Sequence, residues 1–122
     1  MNADAINFLL NGSANALAIY EALETAVLTA WPDVRITVHG SQITFANRHG
    51  FAFVSLPRRK GEVGLVVSFG LPSRAESPRV AAVVEPYPGR WTHHVQVRSV
   101  DEVDRELMGW IGAAYAFSRR KR

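Results

Sequence analysis

Between Arg79 and Arg98 the chain gathers side chains suited to holding a charged ligand: Arg79, Glu85, Tyr87, Arg90, His94 and Arg98. A guanidinium presents a planar fork of N–H donors that matches phosphate or carboxylate oxygens. A phenol adds a hydroxyl, and an imidazole adds a group that titrates near neutral pH. If the prolines around them fold the segment back onto the strand that follows, Arg79, Tyr87, Arg90, His94 and Arg98 converge on an anion. Glu85 has two uses in this reading. Paired with an arginine, it anchors a loop and there is no ligand; set beside His94 it orients a general base, with Tyr87 completing a small enzyme site. With no nucleophile elbow, GxGxxG or Walker spacing in the chain, the leading expectation is a non-catalytic binding or accessory domain for an anionic ligand (nucleic acid, a nucleotide or an acidic partner), and the small enzyme is its alternative.

Other chemistry is less favoured by the residue types. There is no cysteine, which excludes disulfides, thiolate metal ligands and a thiolate nucleophile. The histidines are His39, His49, His93 and His94, and the last two, adjacent on a strand, face opposite ways and do not share one ion. No metal and no cofactor are expected. The octamer His49 to Leu56, HGFAFVSL, is similar to the RNP1 segment of RNA-recognition motifs, whose aromatics stack on bases. RNA binding through the sheet is therefore a further alternative. The order of elements around it argues against that fold, since helices precede a run of strands and the upstream AIYEAL segment is helical in pattern.

Charge is unevenly placed. The net value is +3, but Arg119, Arg120, Lys121 and Arg122 supply +4 of it. Residues 1–33 carry four acids and no base, whereas residues 34–98 carry nine basic residues against Glu62, Glu76 and Glu85. The sheet-and-loop part is thus basic and the helical parts acidic, which suits either solubility or an anion-facing surface, nucleic acid included. The N-terminus has no basic start or long apolar run, and no segment approaches membrane-spanning length, so a soluble, cytoplasmic protein without a membrane partner is expected. The oligomeric state is not written in the sequence.

The elements that must position these residues follow from periodicity. Ser13 offers an N-cap to a helix in which Ala16, Tyr20, Leu23, Val27 and Ala30 form one stripe, closed by Trp31-Pro32; a short helix over Ala3 to Leu10, ending before Gly12, precedes it. Val34 to Val38 and Ile43 to Phe45 alternate around a Gly40-Ser41 turn. Phe51 to Leu56 and Val63 to Phe69 form an apolar hairpin about the polar Arg58 to Gly61 loop, and His93 to Val97 form a last strand. Residues 71–91 hold four of the six prolines and read as an excursion in which only Val80 to Val84 suits a strand or a short helical turn. Ser99 and Glu102 have capping-box spacing ahead of a helix that puts Val103, Leu107, Trp110, Ile111 and Ala114 on one face. The fold class expected is α+β in two layers: an antiparallel sheet of about five strands with the N- and C-terminal helices packed on one face. Residues 1–118 form one domain in this reading, and residues 119–122 a loose basic tail.

With these residues laid out, the chain resembles a bacterial family, the domain of unknown function numbered 5655. The resemblance is carried by LAIYEAL (Leu17 to Leu23), RRKG with its flanking strands, SFGLP (Ser68 to Pro72), SPR (Ser77 to Arg79), EPYPGRWTHHV (Glu85 to Val95) and DEVDRELMGWIGAAY (Asp101 to Tyr115). It covers nearly the whole chain, and its proline-, aromatic- and histidine-rich segment is the most specific part. Members occur alone or joined to other domains, some similar to nuclease or transport modules. The resemblance implies no assigned activity and no catalytic residue to carry over.

Overall fold

In the computed structural model, which describes residues 2–10, 13–58 and 62–120, the chain runs α1 (Asn2–Leu9), α2 (Ala14–Ala30), β1 (Arg35–His39), β2 (Gln42–Ala46), β3 (Gly50–Ser55), β4 (Leu65–Leu71), β5 (Val80–Tyr87), β6 (Arg90–Val97), a 3-10 turn (Val100–Glu102) and α3 (Arg105–Arg120). The strands make one antiparallel sheet of six in the order β1-β2-β3-β4-β6-β5. The α+β class and the terminal helices are as the sequence predicts, with one strand more than expected. That strand is β5. It pairs with β6 through a Pro88-Gly89 reversal, so much of the expected excursion is a sheet edge. Two register shifts and Pro86 interrupt its alternation, and such irregularity is confined to edges because no second neighbour needs its amides.

Side-chain alternation divides the sheet into a covered face and an open one. Ile43, Phe45, Val54, Leu65, Val67, Phe69, Val95 and Val97 lie on the covered face with no exposure. A fully buried aliphatic or aromatic side chain contributes about 1.5–3 kcal/mol of transfer free energy, so this layer is the main source of cohesion. Helix α3 covers β3 and β4, α2 reaches β4, and α1 lies against β1. The β2–β3 register slips between Phe45 and Ala46, and the bulge turns both Phe51 and Ala52 into the core. Phe51 then meets Tyr115 of α3 edge-on, with 5.4 Å between ring centroids.

Helix boundaries agree with the sequence at one end and differ from it at two others. The Ser13 hydroxyl accepts from the Ala16 amide at 3.2 Å, as a cap should. Ser99 makes no side-chain cap, and α3 begins only at Arg105. The cap of α3 is Asp104, whose Oδ1 accepts from the Leu107 amide at 3.0 Å. Glu102 does reach back, to the Arg98 amide at 2.7 Å, and so closes the 3-10 turn instead of the helix. Nor does the tail start at Arg119: Arg119 and Arg120 are the last turn of α3, and Arg119 lies over the Tyr115 ring at 5.8 Å. Lys121 and Arg122, like Gly12 and Arg59 to Gly61 of the expected β3–β4 loop, lie outside the described residues.

Candidate functional site

Pairing of β4 with β6 puts Ser68 directly opposite His94 on the open face. Their side chains meet, Ser68 Oγ lying 2.7 Å from His94 Nδ1. In the tautomer with the proton on Nε2, the serine hydroxyl donates to Nδ1. Beside this pair is a cavity of about 470 Å³ whose polar walls come from Gln42, Ser55, Arg58, Glu62, Ser68 and His94. Burial lowers the proton affinity of His94, and the nearby Arg58 charge lowers it further. The imidazole is therefore neutral at pH 7, and the cavity presents a fixed guanidinium, an imidazole and two hydroxyls, with Glu62 on one side. Five of the six strands, β5 excepted, contain no Asp or Glu. An anion on this face meets hydrogen-bond donors with few carboxylates to repel it.

The six residues singled out from the sequence are distributed over several settings. Tyr87 and Arg90 are cross-strand partners at the turn end of the β5–β6 hairpin. The Arg90 guanidinium lies flat on the open face over Gly70: a Cβ at that glycine would stand 2.6 Å from Arg90 Cζ. His94 is four residues further along β6, on the order of 13 Å at strand rise. Arg98 follows the end of β6, and its guanidinium donates to Gln96 Oε1 at 2.9 Å. Glu85 accepts from the Gly89 amide at 3.4 Å inside the hairpin turn. It makes no ion pair among the described residues. Arg79 is engaged elsewhere altogether, donating to both Asp104 oxygens at 2.8 and 3.0 Å, to Glu106 at 3.1 Å and to the Glu102 carbonyl at 2.9 Å. It also lies 5.9 Å from the Trp110 ring centroid, fastening the start of β5 to α3.

The model of one protein family, described as Domain of unknown function (DUF5655), matches residues 6–118. The chain belongs to this family. No curated protein and no solved structure shows a significant match to it. The DUF5655 match takes in every strand, the Ser68–His94 pair and all six residues named from the sequence.

Within this DUF5655 domain, the neighbouring histidine has a different role. His93 points into the core, stacked on Phe69 at 5.3 Å with an interplanar angle of 6°. Its Nδ1–H donates to the Trp91 carbonyl at 3.0 Å and its Nε2 accepts from the Ala75 amide at 2.9 Å, which fixes the neutral form and pins the β4–β5 connection. Burial is the main reason that its proton affinity is lowered. The RNP1-like octamer is divided by the β3 bulge: Phe51 is buried beneath Tyr115, while Phe53 stands on the open face opposite Ser68. No group of three His, Asp or Glu among the described residues is arranged to hold a metal ion. No described helix is long and apolar enough to cross a membrane.

Sequence reasoning named His94 but not Ser68, Ser55, Gln42 or Arg58. Ser68 carries one signal, a hydroxyl within the apolar run LVVSFGL on the side opposite Val67 and Phe69. Its pairing with His94 was not readable, because β5 comes between β4 and β6 in the chain but not in the sheet.

Proposed function

We propose that this domain is a binding module whose open sheet face recognises a small anionic ligand, a phosphate- or carboxylate-bearing molecule, in the cavity between Arg58 and the Ser68–His94 pair. The observation that carries the reading is the convergence of a guanidinium, an imidazole and a serine hydroxyl on one cavity of a face poor in carboxylates. Arg58 supplies the permanent charge, and Ser68 and Ser55 supply neutral donors. His94 adds a second charge once an anion has raised its proton affinity. Arg90, seated over Gly70 on the same face, extends the donor surface toward larger ligands such as nucleotides. Titration of labelled protein with phosphate, nucleotides and short single-stranded oligonucleotides tests this. Saturable amide shifts at Ser68 and His94, weakened at least about tenfold in Arg58→Ala, support the reading. Absence of shifts on this face with all three ligand classes sinks it.

A second reading is catalytic and rests on the 2.7 Å Ser68–His94 contact together with the neutral imidazole. A hydroxyl hydrogen-bonded to an unprotonated imidazole is the nucleophile-and-base pair of acyl transfer. Ser68 is the nucleophile of this reading, a role assigned to no residue from the sequence; Glu85, expected to orient His94, accepts from the Gly89 amide instead. No carboxylate among the described residues hydrogen-bonds His94, so the third member of a triad has no counterpart there. Hydrolysis of an activated ester that survives in Ser68→Ala would end this reading and leave the binding module intact.

A further inference from the structure

A second basic site forms where β1, the β2–β3 turn and the end of α3 meet. Asp33, Arg35, Asn47, Arg48 and Arg119 line an open cavity of about 570 Å³ there. At its base is Asn47, only 6% exposed, whose Nδ2 donates to the Tyr115 carbonyl at 3.1 Å and whose Oδ1 accepts from Ser118 Oγ at 2.8 Å. This buried junction holds the Arg35 side chain and the Arg48 backbone. Arg35 Nη2 donates to the Asn47 carbonyl at 2.6 Å, and the Arg48 amide donates to Asn47 Oδ1 at 2.6 Å. Arg119 is held over the Tyr115 ring. None of the three guanidiniums is paired with a carboxylate among the described residues. The one carboxylate in the lining, Asp33, takes the Tyr115 hydroxyl on its two oxygens at 2.8 and 3.0 Å.

Three like charges around one cavity repel each other, and Asp33 is the one carboxylate among the described lining residues to offset them. The negative end of the α3 dipole accounts for Arg119. Arg35 is held by the Asn47 carbonyl, whereas the Arg48 guanidinium makes no ion pair among the described residues. We propose that this basin binds a phosphate group, with the Arg35 fork already oriented by the Asn47 carbonyl, Arg119 held over Tyr115, and the exposed Arg48 closing on the ligand. The same chemistry is offered by a nucleic-acid backbone and by free phosphate. The site is separate from the open-face cavity, so either can fail alone.

The test is an amide-shift titration of the full chain at low salt, once with inorganic phosphate and once with a short single-stranded oligonucleotide. Saturable shifts at Arg48, His49 and Arg119 are expected. The affinity should fall about tenfold or more in Arg48→Ala, whose side chain is exposed and partners nothing needed for folding. Asp33→Asn should tighten binding, because it removes the opposing charge among the described lining residues. A response to the oligonucleotide alone, lost steeply with added salt, identifies a polymer backbone; equal responses to both probes identify free phosphate. No shift at these amides with either probe, an unchanged affinity in Arg48→Ala, or weaker binding in Asp33→Asn overturns the proposal. Shifts confined to Ser68 and His94 also overturn it, while supporting the open-face site.

Discussion

Asp104 is the most informative single position for the stability of this fold, because one carboxylate both caps α3 and holds Arg79. Its Oδ1 accepts the Leu107 amide at 3.0 Å, and the Arg79 guanidinium lies at 2.8 Å. Loss of such a cap costs about 1 kcal/mol. The ion pair is partly exposed, with side-chain exposures of 22% and 43%, which limits it to about 0.5–1 kcal/mol after solvent screening. Asp104→Ala removes both and should cost about 1.5–2 kcal/mol. Asp104→Asn keeps a capping oxygen and should cost only about 0.5–1 kcal/mol. Ser99→Ala should stay within about 0.5 kcal/mol, since the Ser99 side chain makes no cap. The cap is the main cause, and Arg79 the next, of the lowered Asp104 pKa. This contribution is therefore complete above the ordinary value of 3.8 and is lost as pH falls through the lowered one. Urea melts at constant m-value report all three changes, and a double-mutant cycle with Arg79→Ala isolates the pair. If Ser99→Ala costs as much as Asp104→Ala, or if Asp104→Asn and Asp104→Ala are equal, this assignment of the cap is wrong.

Other expectations concern the core and the sheet. Trp110 stacks on Phe69 at 5.7 Å beneath Arg79, so Trp110→Ala should cost about 3 kcal/mol in the same melts. His93 is held neutral, with its proton affinity lowered mainly by burial; its contribution is present above the ordinary value of 6.5 and is lost as pH falls through the lowered one. The urea midpoint should accordingly drop between pH 7 and 5, and less steeply in His93→Gln; equal slopes refute this. Gly64 sits at φ +86, where a Cβ would stand 2.0 Å from the Val97 carbonyl oxygen, so Gly64→Ala should cost about 3 kcal/mol. Gly70→Ala meets only the mobile end of Arg90 and should cost under about 1 kcal/mol while displacing that guanidinium. A reversed order for the two glycines contradicts the packing described.

The parts of the fold that could be read from the chain are those set by local periodicity. Ala16, Tyr20, Leu23 and Val27 identify the buried face of α2, and the Ser13 hydroxyl marks its start, because cap and stripe are decided within one or two turns. Strand β5 was legible only as one option for Val80 to Val84, because two register shifts and Pro86 remove the period-two signal at an edge that tolerates the loss. The Ser99 spacing was a true turn signal with the wrong owner: Glu102 closes a 3-10 turn, and the helix begins after Asp104. The site was only partly legible for a different reason. His94 is conspicuous by type, but its partner Ser68 is fixed by a register between strands that are not consecutive in the chain. Arg79 looked available as a ligand group because nothing local reveals that Asp104 and Glu106, more than twenty residues on, claim it.

The charge state of His94 reports on the central claim most directly. Its imidazole can be titrated by NMR with and without saturating phosphate, in the wild-type chain and in Arg58→Ala. Without ligand, the midpoint should lie below the ordinary 6.5, and it should move up in Arg58→Ala as one of the two causes is removed. With phosphate, an anion beside the ring favours the protonated form, so the wild-type midpoint should rise and affinity should increase as pH is lowered. A His94 midpoint that phosphate, nucleotides and oligonucleotides all leave unmoved would contradict an anion site at Arg58, Ser68 and His94.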